Sequence, residues 1–421
     1  MMTTRAARPD AALLPLLGLL VLAAAGAAPG RTFRPQTFGA LADGKHNDTA
    51  AVVAAVAACS VSAARGDGCS LLFSGGAFLT GPFVLPSHSV VTVAKGATLL
   101  AVPMEQWMAA GWRASALLTG EGLTNVTLTG DGTIDGNGAA WWAVTHNDQN
   151  YRPALLVLGS PSELVIEDVL FLNSPNHNIE LSGSTNVRVR RLRVSAPHNS
   201  PNTDGINFAG GHDQSIVDSH ISNGDDCVSI VCGGPKVPAP SAAGGGMISP
   251  GGNVIVRNVT CDGGHGVSIG SIRHGYVSNT TIENVRFVGS ANGARIKTYP
   301  NHTGLVTGIT YRNIVMSKVI NPILIDGAYC PISQKPYPCP PGKVAVKIEN
   351  VLFENITGSG AVGRVGRFGC SAVSPCTNIT LRDVNLTAGA RLLGKPKFDC
   401  ANAHGPRAVD VTPASCLKPD A

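Results

Sequence analysis

Residues 223–230 read Asn-Gly-Asp-Asp-Cys-Val-Ser-Ile, and residues 264–269 read Gly-His-Gly-Val-Ser-Ile. In each run an ionisable residue, Asp226 or His265, stands two positions before an aliphatic residue that opens a strand-like segment. Asp204, in Asn-Thr-Asp-Gly-Ile at 202–206, obeys the same rule. Groups that recur at one position of neighbouring parallel segments stack at the strand spacing of about 4.8 Å. Asp225 is an extra residue in this scheme, which predicts a bend after Gly224 that swings both carboxylates to one side. Arg295 and Lys297, two apart around Ile296, share a face.

The expected site combines three carboxylates, one imidazole and two permanent cations. Crowded carboxylates cannot all ionise easily, so at least one should have a raised pKa and serve as an acid while others remain bases. Hydrolysis of a glycosidic bond needs that division: one group protonates the leaving oxygen while another activates water. The neighbouring Arg and Lys would bind a carboxylate on the sugar.

An element that repeats is required to line up residues so far apart in the chain. The pattern apolar-x-x-(mostly apolar)-x-apolar, with Asn, Asp or Arg third, starts at 123, 166, 189, 216, 256, 282, 311, 348 and 381. From 166 the starts advance by 23, 27, 40, 26, 29, 37 and 33 residues, with Gly, Asn and Ser between the short β-type runs. The pattern predicts an all-β chain wound as a right-handed parallel β-helix, a solenoid with one coil per repeat. The rival up-and-down barrel or sandwich lacks enough hairpin signals. An Ala/Val-rich stretch after Asp48 and Thr49, free of Gly and Pro, reads as a short N-terminal helix capping the first coil. Residues 235–252 read as a loop insertion that explains the advance of 40, and residues from about 387 to 421 as an irregular tail.

The 421 residues include 50 Gly and only 5% aromatics, which excludes a helical protein and suits a single large β domain over 28–421. Residues 1–27 read as a secretory signal, with Arg5 and Arg8 before an apolar run and the small residues Ala25-Gly26-Ala27 at its end. Those residues also hold Asp10; without them 30 Lys and Arg face 26 Asp and Glu, a net charge of +4 that suits an acidic partner. Eleven cysteines in an exported chain imply disulfides. Cys59/Cys69, Cys330/Cys339, Cys370/Cys376 and Cys400/Cys416 would close short loops, Cys227 with Cys261 would tie neighbouring segments, and Cys232 would be left over. No CxxC…CxxC or HExxH spacing supports a metal site. Eight Asn-x-Ser/Thr sequons are present, several inside strand-like runs where the Asn would serve a turn or ladder.

The motifs SPNTDGI (200–206), NGDDC (223–227), GHGVSIGS (264–271), RIKT (295–298) and NPILIDGAYC (321–330) resemble those of the polygalacturonases of glycoside hydrolase family 28, as do FGALADG (38–44) and GTIDGNGAAWW (132–142). That resemblance implies a secreted, inverting hydrolase of α-1,4-linked galacturonic acid in pectic polysaccharide. It would act without a metal or other cofactor, as a monomer, with no nucleic-acid or membrane partner. It makes Asp225 the general acid, Asp204 and Asp226 the groups that activate water, and His265 the support of the acid's proton state. Asn202, Arg295, Lys297 and Tyr329 match the substrate binders. Related pectic hydrolases of rhamnogalacturonan or xylogalacturonan, a calcium-dependent pectate lyase and a wall-binding solenoid without activity are the alternatives.

Overall fold

The third residue of the repeat proves to be a corner. Asp168, Arg191, Asp218, Asn258, Asn284, Asn313 and Asp383 all have φ between 49° and 58°, a left-handed conformation that Asn and Asp tolerate because their short polar side chains bond locally. Arg191 is the bulky member of the set, and its guanidinium is held by two 2.7 Å bonds to the Asp168 carboxylate one coil away. In the computed structural model, which describes residues 30–112, 116–144, 152–233, 237–238, 247–331, 336–360, 363–388 and 395–420, each corner redirects the chain into the next strand. The result is a parallel β-helix. Among the described strands every pairing is parallel except that of Val237–Pro238 with Met247–Ile248. The stretch expected to be a signal, residues 1–27, lies outside the described residues.

Two of the repeat starts belong to a different corner. Asn125 aligns with Glu163, and Asn350 with Gly308 and Asn378, whereas the true continuation after Asn313 is Asn355. The last coils therefore advance from 311 to 353 and from 353 to 381, by 42 and 28 residues, not by 37 and 33. Both corners use the same left-handed Asn, which is why the sequence pattern merged them. The advance of 42 contains a second loop excursion, which the pattern did not reveal.

Inside the coils, side chains stack in register. Phe208, Ile230, Ile269, Ile296, Ile325 and Phe368 follow one another on successive strands and are at most 1% exposed. Each such side chain contributes about 1.5–3 kcal/mol by leaving water, and the row makes a floor that does not yield under the site.

The capping helix runs over Thr49–Ala64 and buries Val52, Ala55, Val56 and Cys59 against the first coils. Its start differs from expectation: Asp48 makes no side-chain cap bond but accepts from the Leu41 and Ala42 backbone N–H groups at 2.8 and 3.1 Å. The insertion is also shorter than 235–252, because Met247–Gly263 is one strand that pairs with the coil after it from Ser249 on. The tail is less irregular than expected. Lys397–Ala401 and Val409–Thr412 add parallel strands that extend the solenoid, and Cys400–Cys416 ties the first of them to the segment that follows the second. The other four expected disulfides are formed as well, leaving Cys232 as the unpaired cysteine.

Candidate active site

The coil register brings the expected residues together. Ile179, Ile206, Val228 and Val267 are partners on four successive strands, so the positions two residues earlier, His177, Asp204, Asp226 and His265, form a column. Asp225 lies beside that column because the chain bends at Gly224. A Cβ on Gly224 would stand 2.0 Å from the Ser200 carbonyl oxygen, so only glycine passes there. Buried Asn223 fixes the bend by donating to the carbonyls of Thr203 and Asp226, both at 2.9 Å, and the Asp226 N–H bonds the Asp225 carboxylate at 2.8 Å. Side-chain atoms of Asp225, Asp226 and His265 converge to within 4.8 Å of one another. The expected bend and convergence are present.

Each carboxylate has a different environment. Asp226 is 2% exposed and is surrounded by donors: Lys297 Nζ at 2.7 Å, Ser268 Oγ at 2.8 Å and Arg295 Nη1 at 3.5 Å. Burial alone would lower the Lys297 pKa, but the Asp226 charge beside it wins and holds the ammonium above its usual value. Asp225 is bonded to His265 Nδ1 at 2.7 Å, and Asn202 donates to its other oxygen at 3.4 Å. Although burial pushes the Asp225 carboxyl upward, the His265 hydrogen bond and charge bring it down to about 2. That same bond raises the His265 imidazole. Asp204, by contrast, is pushed up to about 7 by burial, with the Asp225 and Asp226 charges adding to the effect.

One expectation is thus met on a different residue: the carboxyl with the raised pKa is Asp204, whereas the motif resemblance assigns proton donation to Asp225. Arg295 and Lys297, expected to face a substrate carboxylate, here turn to Asp226, and each also lies 5.3 Å from the Tyr329 ring centroid. The trio of Asp225, Asp226 and His265 has atoms close enough to share a cation. Lys297 and Arg295 already neutralise Asp226, however, so this donor set suits carboxylate chemistry better than metal binding.

Two residues of the site were missed. His177 places Nδ1 2.5 Å from Glu180 and Nε2 3.7 Å from Asp204. Burial opposes its charge, but Asp204 and Glu180 raise the imidazole to about 9. The rule that found the other three residues also selects His177, two positions before Ile179, once the preceding coil is included. Arg152 carried no such signal. It is 2% exposed and donates to the Pro175 and Pro201 carbonyls and, at 2.6 Å, to the Asn202 side chain, pinning the turn that carries Asp204.

The profile of Glycosyl hydrolases family 28 matches residues 77–416. The chain belongs to that family. The polygalacturonase of Prunus persica is 33% identical over 420 residues, covering 96% of this chain and 98% of its own length. Polygalacturonase-2 of Solanum lycopersicum is 34% identical over 303 residues, 70% of this chain but 61% of the tomato protein. Among solved structures, the polygalacturonase from Erwinia carotovora ssp. carotovora shares 26% identity with a TM-score of 0.63, covering 85% of this chain and 94% of the other. The family 28 profile spans every residue of the column and the Lys297–Asp226 contact, so the site sits inside the matched region.

Proposed function

We propose that this family 28 chain hydrolyses α-1,4-galacturonosyl bonds of pectic polysaccharide by a single displacement with inversion. The observation that carries the reading is the Asp225–His265 pair set beside a buried Asp226 that the Lys297 ammonium contacts at 2.7 Å and the Arg295 guanidinium at 3.5 Å. Asp225 faces the leaving oxygen and His265 stores the proton: the bond between them lets the imidazolium return a proton to the carboxyl when a bound sugar excludes water and raises the carboxylate's affinity for it. Asp226, paired with Lys297, and Asp204, whose raised pKa keeps it protonated in mild acid, hold and activate the attacking water from the neighbouring coils. Arg295, Lys297, Asn202 and Tyr329 receive the acidic sugar. The five disulfides and the apolar, small-residue segment at 1–27 support export to an oxidising compartment.

A time course on polygalacturonate tests the reading. Reducing ends should appear with no unsaturated product and no loss of rate in a chelator, and Asp225→Asn should abolish them. Unsaturated ends, or full rate in that variant, would overturn it. Viscosity followed in parallel separates internal cutting, which drops it at once, from release at chain ends.

A further inference from the structure

The aromatic and cationic surface does not stop at Tyr329. The Tyr329 ring meets Tyr299 edge-on with centroids 5.5 Å apart, and the two are locked coil to coil, since the Tyr329 N–H bonds the Thr298 carbonyl and the Tyr299 N–H bonds that of Ile272, both at 3.0 Å. Arg273 lays its guanidinium over the Tyr299 ring at 4.4 Å, and the His302 ring lies 5.9 Å from the same tyrosine. Arg273, Tyr299 and His302 line a cleft of about 260 Å³. Its far wall is the second loop excursion, stapled by Cys330–Cys339 and lined there by Pro336 and Pro340. Asn301 secures that wall to the coil by accepting from the Lys343 N–H at 2.8 Å.

Charge makes this cleft selective. Among the described residues no carboxylate lies within ion-pair distance of Arg273, and the cleft is lined by no Asp or Glu. The contact with the Tyr299 ring holds the guanidinium in place and leaves its planar fork of N–H donors for a bidentate anion such as a carboxylate. The location relative to the column is set by the strands. His265 precedes the strand Val267–Ile272 and Arg273 follows it, eight positions on, so at most eight rises of about 3.3 Å, roughly 26 Å, separate the catalytic end of the face from the cleft. Lys297, Arg295, Tyr329 and Tyr299 bridge that interval without a break.

We infer that Arg273, Tyr299 and His302 form a distal subsite that binds the carboxylate of a uronic acid unit several sugars away from the bond being cut. This rests on the galacturonan reading above and adds a length requirement to it: short oligomers occupy the column and the Tyr329 region, while longer ones also reach Arg273.

The test is titration calorimetry of Asp225→Asn with oligogalacturonates of increasing length, with and without Arg273→Gln. The longest oligomer should lose about tenfold in affinity when Arg273 is replaced, the shortest should lose none, and Arg273→Lys should restore part of the loss. His302→Ala, which leaves the charge in place, should have a smaller effect in the same direction. Affinities that Arg273→Gln leaves equal at every oligomer length, with unchanged melting temperature, would overturn the subsite. Cleavage is measured separately, in the unsubstituted protein: its absence on polygalacturonate would defeat the functional reading, while a length-dependent loss of oligosaccharide binding in Arg273→Gln would still uphold the subsite.

Discussion

His177 and Asp204 occupy the same register position on adjacent coils, with the imidazole Nε2 3.7 Å from the carboxylate Oδ1. The imidazole is held in turn by Glu180, so a cation stands against the carboxyl that burial raises to about 7.

This pairing sets a pH dependence. If Asp204 must hold its proton to orient water, activity falls as pH rises through about 7. His177 is charged over that range, because its folded pKa is about 9, and its charge works against the proton on Asp204. Removing it in His177→Gln should raise the Asp204 pKa further and move the alkaline limb of the kcat/KM profile to higher pH. An unmoved limb would show that Asp204 does not control it.

Asp225→Asn should lower kcat by two orders of magnitude or more with the fold intact, since general acid catalysis contributes about 10² to 10⁴. His265→Gln should cost less and should act mainly above neutral pH, where the stored proton is scarce. Comparable loss at every pH would assign His265 a purely structural part.

Lys297→Met removes the nearer of the two cations that face buried Asp226 and leaves it only the longer Arg295 contact, and removal of one partner of a buried pair costs up to about 3–5 kcal/mol. Thermal melts should show a large drop, and Asp226→Asn in the same chain should recover much of it. Arg295→Ala, whose contact with Asp226 is longer at 3.5 Å, should raise KM for polygalacturonate more than it lowers the melting temperature.

The stereochemistry tests the column as a whole. Water held by Asp204 and Asp226 must fit between the sugar and the base, so the α-linked polymer should first release a β-anomer. Proton NMR of early product decides it; an initial α-anomer would contradict the assignment of Asp225 as acid with water on the opposite face.

The corners offer a stability test. Asn284 has φ of 55° and its carboxamide oxygen accepts from Asn313 of the next coil at 3.0 Å. Asn284→Ala should cost about 1–2 kcal/mol, read from chemical denaturation, because an L residue with a Cβ and no local bond resists this conformation. Asn284→Gly should cost less, having no Cβ to strain.

Legible in the residues alone were the solenoid, the cap, the five cysteine pairs and the core of the site, because nearly all is written in local spacing: aliphatic residues at a fixed offset from Asp204, Asp226 and His265, and small loops between four of the cysteine pairs, the fifth, Cys227–Cys261, following from the repeat that sets its two segments side by side. The bend at Gly224 was legible too, since two adjacent carboxylates can converge only if the strand turns. Whatever depends on which coil lies against which needed the folded chain. Asn350 and Asn355 are both left-handed corner residues, and only the register with Gly308 and Asn313 tells one corner from the other. Arg152 reaches Asn202 across 50 residues from a turn with no distinguishing pattern. The proton distribution belongs to the same class. Asp204, Asp225 and Asp226 are identical in the sequence, and they differ because His265 bonds one, Lys297 and Ser268 bond another, and the third is buried with the His177 imidazole 3.7 Å away. A side chain's type is local, but its pKa is set by neighbours that folding alone brings within a few ångströms.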